Sequence, residues 1–236
     1  MLRLDKYICE STELTRNEAK KLLKMGLVTV DGLVVKSGAL KVLEGQSVSI
    51  DGEEISPRGL RYIMLYKPEN FICSNVDEVH PSVNHLIDID KAFDLKTVGR
   101  LDVDTTGLVL LTDDGKWSHQ ITSPKKSCPK CYQVVTASPI EDEQIEHLEK
   151  GVMLKGEELP TKPAIVSKVT EFQILLTIQE GKYHQVKRML AAVGNKVIEL
   201  HRQSIGSISL DPNLEEGQWR YLTEQEIQSV FQKQNT

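Results

Sequence analysis

The sequence predicts an α+β protein in two parts: a small helix-and-strand domain over residues 1–59, and a larger domain over residues 60–236 whose mixed, mostly antiparallel sheet is flanked by helices. Three observations carry that expectation. Leu108-Val109-Leu110-Leu111 is an unbroken aliphatic run, the pattern of a strand buried on both faces. Beyond residue 60, strand-like segments outnumber helical ones without a regular β-α-β repeat, which argues against a doubly wound parallel sheet. Ser56-Pro57-Arg58-Gly59 has linker composition and stands just before strand-like Tyr62 to Tyr66, which places the domain boundary there.

In chain order, Leu4, Tyr7 and Ile8 recur at helical spacing, and Thr15-Arg16-Asn17-Glu18 is a capping box that starts a second helix with Ala19, Leu22 and Leu23 on its apolar face. Gly26 ends that helix. Strand-like Leu27 to Val30 meets the tight-turn pair Asp31-Gly32, and Ser47 to Ile50 reads as a short strand before Asp51-Gly52. In the larger part, Tyr62 to Tyr66 and Leu108 to Leu111 are expected strands, Trp117 to Ile121 a short helix and Tyr132 to Thr136 a strand. Ser138-Pro139-Ile140-Glu141 is expected to open a helix, with Ser138 as the cap and proline at the first position. Further strands are expected at Ala164 to Val169, Phe172 to Ile178, Lys196 to Leu200 and Ile205 to Leu210. A helix over His184 to Ala192 falls between two of these, and Thr223-Glu224-Gln225-Glu226 caps a final one.

Composition narrows the class. Of 236 residues, 39% are hydrophobic and 27% charged, the balance of an ordinary globular chain. No apolar run approaches the roughly 18 residues of a membrane span, and Met1-Leu2-Arg3-Leu4-Asp5-Lys6 has no apolar signal region. A cytoplasmic protein without a membrane partner is expected. The net charge of -5 by itself argues against a nucleic-acid partner, but the basic residues are clustered. Arg16, Lys20, Lys21 and Lys24 form one group, Lys116, Lys125, Lys126 and Lys130 a second, and Lys182, Lys187, Arg188, Lys196 and Arg202 a third. A chain acidic overall can therefore show RNA one basic face, although any single cluster also fits a solvated helix or turn.

The segment Gly99 to Thr112, G-R-L-D-V-D-T-T-G-L-V-L-L-T, hangs ionic side chains on a turn beside the buried run. Arg100 and Asp102 stand two apart, so in an extended segment they project to one side. Asp104, Thr105 and Thr106 supply side chains that hydrogen-bond nearby backbone, and Gly107 permits a sharp turn into the strand. From the residues alone this is either a carboxylate held at the mouth of a rigid core or an ordinary surface turn.

The wording G-R-L-D-x-x-T-x-G-L-x-L-L-T resembles the active-site motif of the pseudouridine synthases that modify ribosomal RNA. Lys130-Cys131-Tyr132 resembles the K-x-Y element of that family, and Glu180 to Met189, E-G-K-Y-H-Q-V-K-R-M, resembles its E-G-x-x-H-Q-V-x-R-M element. The amino-terminal order of helix, basic helix, glycine and V-T-V-D-G is similar to the S4 RNA-binding module. Together these cover nearly the whole chain. The likeness is closest to the branch acting on 16S rRNA of the small ribosomal subunit, with uridine 516 the expected target.

The resemblance implies an isomerase that converts uridine to pseudouridine. Such a reaction cuts a glycosidic bond, turns the uracil over and rejoins it through carbon, without redox or group transfer, so no cofactor is expected. The resemblance implies that Asp102 is the catalytic nucleophile, in the manner of carboxylates at glycosidic bonds, and that Tyr132 stacks on the target base. A basic residue of the third motif is then the partner of the aspartate. Arg188 is favoured over Lys187, and its planar fork suits a carboxylate. Arg100, Lys187 and Gln185 are expected to contact the substrate RNA. Arg16, Lys20 and Lys24 are expected to lie on its phosphates, with recognition by shape rather than base edges.

Other features weigh less. Cys128-Pro129-Lys130-Cys131 has the C-x-x-C spacing of zinc and dithiol sites, but Cys9 and Cys73 supply no matching pair, and no metal is expected. His184 and His201 are read as hydrogen-bonding residues rather than catalysts, and Trp117 and Trp219 as packing residues. The partner is then 16S rRNA or a partly assembled small subunit, and nothing demands more than a monomer. Two alternatives are a large-subunit rRNA synthase and a non-catalytic ribosome-assembly factor. The set Asp102, Tyr132 and Arg188 favours an enzyme over the latter.

Overall fold

In a computed structural model that describes residues 1–231, the chain forms two compact units divided between Leu60 and Arg61. The first begins with β1 (Leu2–Arg3) and α1 (Leu4–Ser11), followed by α2 (Arg16–Met25). Thr15 and Glu18 close the expected capping box, and Gly26, at φ 77, donates its N–H back to the Leu22 and Leu23 carbonyls, a turn that only glycine makes without strain. Then come β2 (Val28–Val30), β3 (Leu33–Val34), β4 (Lys41–Val42), β5 (Val48–Ile50) and β6 (Glu53–Ile55). Strands β3-β2-β5-β6 form an antiparallel sheet, and β1 pairs with β4. Asp31-Gly32 and Asp51-Gly52, all four at positive φ, are the two-residue hairpin turns whose twist suits paired strands. Leu4, Ile8, Ala19, Leu23, Val28, Val30 and Val48 fill the core between helices and sheet.

The second unit is built on a nine-stranded sheet. Its elements are β7 (Tyr62–Lys67), β8 (Lys96–Thr97), β9 (Thr106–Thr112), α3 (Gly115–Thr122), β10 (Lys130–Thr136), α4 (Asp142–Lys150), β11 (Ile165–Thr170) and β12 (Gln173–Ile178). They are followed by α5 (Gln185–Ala192), β13 (Val197–Ile205), β14 (Ile208–Ser209), β15 (Trp219–Tyr221) and α6 (Glu224–Ser229). The strand order is β11-β12-β10-β13-β9-β7-β15, with β14 on β13 and β8 on β9. Every pairing is antiparallel except the short parallel seam of β13 with β9, where His201 faces Thr106 and Arg202 faces Gly107. The α+β expectation of a mixed, mostly antiparallel sheet matches this topology.

Strand β9 is buried on both faces, as its aliphatic run implies. Leu108 and Leu110 pack with Met64, Trp117 and Ile121 on one side, and Val109 and Leu111 pack with Ile63, Val134, Met189 and Leu190 on the other. Each such residue contributes about 1.5–3 kcal/mol by leaving water. Among the described residues, no helix is long and apolar enough to cross a membrane.

Three local expectations are corrected. Helix α4 starts at Asp142 with Glu141 as its cap, not at Ser138. The Ser138 carbonyl accepts from Thr136 Oγ1 and Asn195 Nδ2, and the Ile140 N–H donates to the Glu171 carbonyl, so these contacts keep residues 138–140 out of the helix. The two strands expected at Lys196 to Leu200 and Ile205 to Leu210 are present with shifted bounds: β13 runs on through Ile205, and the second is only β14 at Ile208–Ser209. Its polar middle finds partners within the sheet: His201 Nδ1 lies 2.9 Å from Thr106 Oγ1, and Arg202 Nε donates to the Leu108 carbonyl at 2.8 Å. Gly107 lies inside β9 rather than in a turn before it, and a Cβ there would collide with the Arg202 backbone.

Candidate active site

The parallel seam places the loop before β9 over a cavity of about 650 Å³ lined by Arg100, Asp102, Tyr132, Tyr183, Lys187 and Arg202, among others. Three features make that loop rigid. The Thr105 N–H donates to the Asp102 carbonyl at 3.1 Å, closing a β-turn that Asp102 begins. Lys67, fully buried at the end of β7, donates from Nζ to the carbonyls of Pro68, Val103 and Thr105 at 2.8, 3.3 and 2.8 Å. Burial pulls its pKa down, and the three carbonyls satisfy the ammonium donors. From below, Arg202 Nη1 donates to the Arg100 carbonyl at 3.4 Å while its Nε holds Leu108.

Asp102 sits at the head of this turn with its side chain 28% exposed. Lys187 Nζ lies 3.3 Å from its Oδ2, and His184 Nε2 lies 3.3 Å from its Oδ1. Lys187 also reaches Asp104 Oδ1 at 2.6 Å. That hydrogen bond holds the Asp104 carboxyl below its usual range. For Lys187, burial works against the charge, but the hydrogen bond to Asp104 and the charges of both aspartates outweigh it and raise its pKa. The group is a fixed cation between two carboxylates.

Tyr132 lies on β10 between β12 and β13, opposite Leu176 and Arg202. Its side chain is buried, its ring lines the same cavity as Asp102, and the Arg202 guanidinium carbon is 6.0 Å from the ring centroid. Arg100 also lines the cavity and is exposed; Asp104 is engaged by Lys187, not by Arg100.

One expectation fails on geometry. Arg188 does not reach Asp102. Its Nη1 donates to Glu157 at 3.2 Å and to the Tyr183 carbonyl at 3.0 Å, and its Nη2 donates to the Lys155 carbonyl at 2.8 Å. Successive residues of a helix are about 100° apart, and with Val186, Met189 and Leu190 buried, Lys187 and Arg188 leave α5 on opposite flanks of the buried stripe. Only Lys187 faces the aspartate. Gln185 lines the cavity with its side-chain amide engaged: its Oε1 accepts from the Lys182 N–H at 2.8 Å and its Nε2 donates to Glu180 at 2.7 Å, so it organises the turn into α5.

The sequence reading overlooked Lys67, counted Arg202 only as one of a basic cluster rather than as a buried brace, and gave His184 a lesser place than its position on Asp102 warrants. A lysine closing an otherwise apolar strand before Pro68 was the available signal for the first. In the first unit, Arg16, Lys20 and Lys24 are exposed at four-residue spacing along one side of α2. Cys128 and Cys131 carry free thiols, and among the described residues no group of three or more His, Cys, Asp or Glu is placed to hold a metal ion.

A carboxylate with two basic partners and a buried aromatic ring suits polar covalent chemistry on a flat ring. Comparison with known proteins agrees. Residues 61–192 match the family described as RNA pseudouridylate synthase, and residues 2–48 match the S4 domain. The chain is 55% identical over 232 residues to a protein of Vibrio vulnificus named ribosomal small subunit pseudouridine synthase A, covering 98% of this chain and all of the relative. A protein of the same name from Escherichia coli is 49% identical over 230 residues, 97% of this chain and all of the relative. A solved structure titled "Crystal structure of pseudouridylate synthase" superposes with a TM-score of 0.71 at 46% identity, covering 98% of this chain and all of that one.

Proposed function

The chain belongs to the RNA pseudouridylate synthase family, and from that premise we propose that it isomerises a uridine of small-subunit ribosomal RNA, uridine 516 of the 16S molecule, to pseudouridine. The observation that carries the chemical assignment is the Asp102 carboxylate beside Lys187 and His184 in the cavity that Tyr132 also lines.

Asp102 is the nucleophile toward the extruded uridine. Lys187 and His184 orient it, and the Lys187 ammonium places a positive charge 3.3 Å from its Oδ2. The bond from uracil N1 to ribose C1′ breaks, the ring turns, C5 bonds to C1′, the C5 hydrogen leaves as a proton and the freed N1 takes one up. The atom count is unchanged and nothing is oxidised or reduced. Tyr132 offers its ring to the base and its hydroxyl to the departing proton. Arg188 and Gln185 shape the walls without touching the reacting atoms. Arg100 and Lys187 meet the target strand, and Arg16, Lys20 and Lys24 meet phosphates elsewhere on the RNA.

Release of tritium from C5-labelled ribosomal RNA tests the assignment. Asp102→Asn should lower turnover by at least about a thousandfold while RNA affinity is kept, and Asp104→Asn should retain most activity. If Asp104→Asn is the inactive variant and Asp102→Asn turns over normally, Asp102 is not the nucleophile.

A further inference from the structure

Tyr183 is 76% exposed, yet it lines the cavity that holds Asp102. Its ring is stacked on the imidazole of His184, with centroids 3.8 Å apart and planes 21° from parallel. Its carbonyl is held by Arg188 Nη1 at 3.0 Å. The next residue, His184, caps α5 in the left-handed region at φ 46, with Nε2 on Asp102. A large ring is therefore fixed at the cavity rim, one face covered by His184 and the rest open to water, where its apolar area gains nothing from burial. Tyr132, by contrast, is only 8% exposed and lies deep in the same cavity.

We propose that the open face of Tyr183 is a stacking platform for the nucleobase next to the extruded uridine, so that this base, Tyr183 and His184 form a three-layer stack ending on Asp102. The inference rests on the RNA-modifying function proposed above. Extruding a uridine strips its neighbour of a stacking partner, and an aromatic ring replaces that partner whichever base is present. The depth of the two rings divides the labour: Tyr132 takes the target and Tyr183 the neighbour. Lys182, Lys187 and Arg100 line the same cavity and supply positive charge for the flanking phosphates. The stack also ties the neighbour to the geometry of the carboxylate, because His184 is shared.

The test uses the full chain and short RNAs with 2-aminopurine on either side of the target uridine. Wild-type protein should quench the fluorescence at one of the two positions, and Tyr183→Ala should remove that quenching. Tyr183→Ala should also lower kcat/KM by about tenfold, while Tyr183→Phe and Tyr183→Trp retain it. On RNA with an abasic residue at the quenched position, wild type should fall by about tenfold and Tyr183→Ala should add less than about twofold. An undiminished penalty of Tyr183→Ala on the abasic RNA, or a Phe variant as weak as the Ala variant, would mean that Tyr183 acts through His184 or its hydroxyl, and would overturn the platform. Absence of pseudouridine with every RNA would instead remove the proposed function, and the quenching would still report on the stack.

Discussion

Two ion clusters of the larger unit bind carboxylates in different ways. At Arg220, each guanidinium nitrogen closes on an acceptor: Nε meets Asp211 at 2.7 Å, and Nη1 and Nη2 grip the two oxygens of Glu226 at 2.9 and 2.8 Å. The guanidinium pKa is raised, above all by its hydrogen bonds to Glu226, and Glu226 is held below its usual range. In the cavity, the 2.6 Å contact of Lys187 goes to Asp104, while Asp102 keeps two partners at 3.3 Å. A saturated fork fixes structure. A carboxylate held by longer contacts is oriented and still has lone pairs to offer, which is what a nucleophile needs.

Replacing the two central cations should separate these roles, with the largest effect at Lys187. Lys187→Met should lower kcat by about a hundredfold or more, the scale of losing an electrostatic partner at a reacting group, with little change in Tm. Arg220→Met should do the reverse, costing about 1–2 kcal/mol for a partly exposed pair and leaving activity per folded molecule within about twofold. Thermal melts beside tritium release decide it. If Lys187→Met loses stability but not turnover, the distinction between the clusters collapses.

A smaller effect is expected at the other flank of α5. Arg188 braces the Tyr183 carbonyl and the Lys155–Glu157 segment, so Arg188→Gln should displace the rim and lower kcat/KM by roughly tenfold. Glu157→Gln, which loosens only one of those contacts, should cost less. A loss at Arg188 as large as that at Lys187 would return it to the reacting centre.

What the sequence revealed depended on whether the signal was local. The Thr15 and Glu18 box, the Asp31-Gly32 and Asp51-Gly52 turns and the aliphatic β9 declare themselves within a few residues, and the fold contains all of them. The start of α4 was misplaced because Ser138 and Pro139 form a good local start, while the contacts that keep residues 138–140 out of the helix come from Asn195 and Glu171, far along the chain. The motif resemblance marked α5 as part of the site but favoured Arg188 where Lys187 holds the aspartate, since a reading that ignores helix phase cannot tell the two flanks apart. The buried positions Val186, Met189 and Leu190 contained that phase. Lys67 and Arg202 were harder to see, because a buried cation in a strand has no pattern of its own until the carbonyls it serves are brought to it.

The smallest predicted effect concerns acid. Arg220 holds the Glu226 carboxyl low, and the Asp211 carboxyl is held low first by the Asn213 backbone N–H and then by Arg220. A carboxylate whose pKa is depressed in the folded chain stabilises the fold fully above its unfolded value, about 4 for these residues, and that stabilisation is lost as pH falls through the lower folded value. The Tm gap between wild type and Arg220→Met should therefore stay constant from about pH 5 to 8 and close as pH falls toward about 3. Asp104 is lowered in the same direction by Lys187, but its side chain is 63% exposed and solvent screens the pair. Lys187→Met should thus leave most of the acid limb in place, and a limb that vanished with Lys187 rather than Arg220 would reverse which cluster carries structure and which is kept for chemistry.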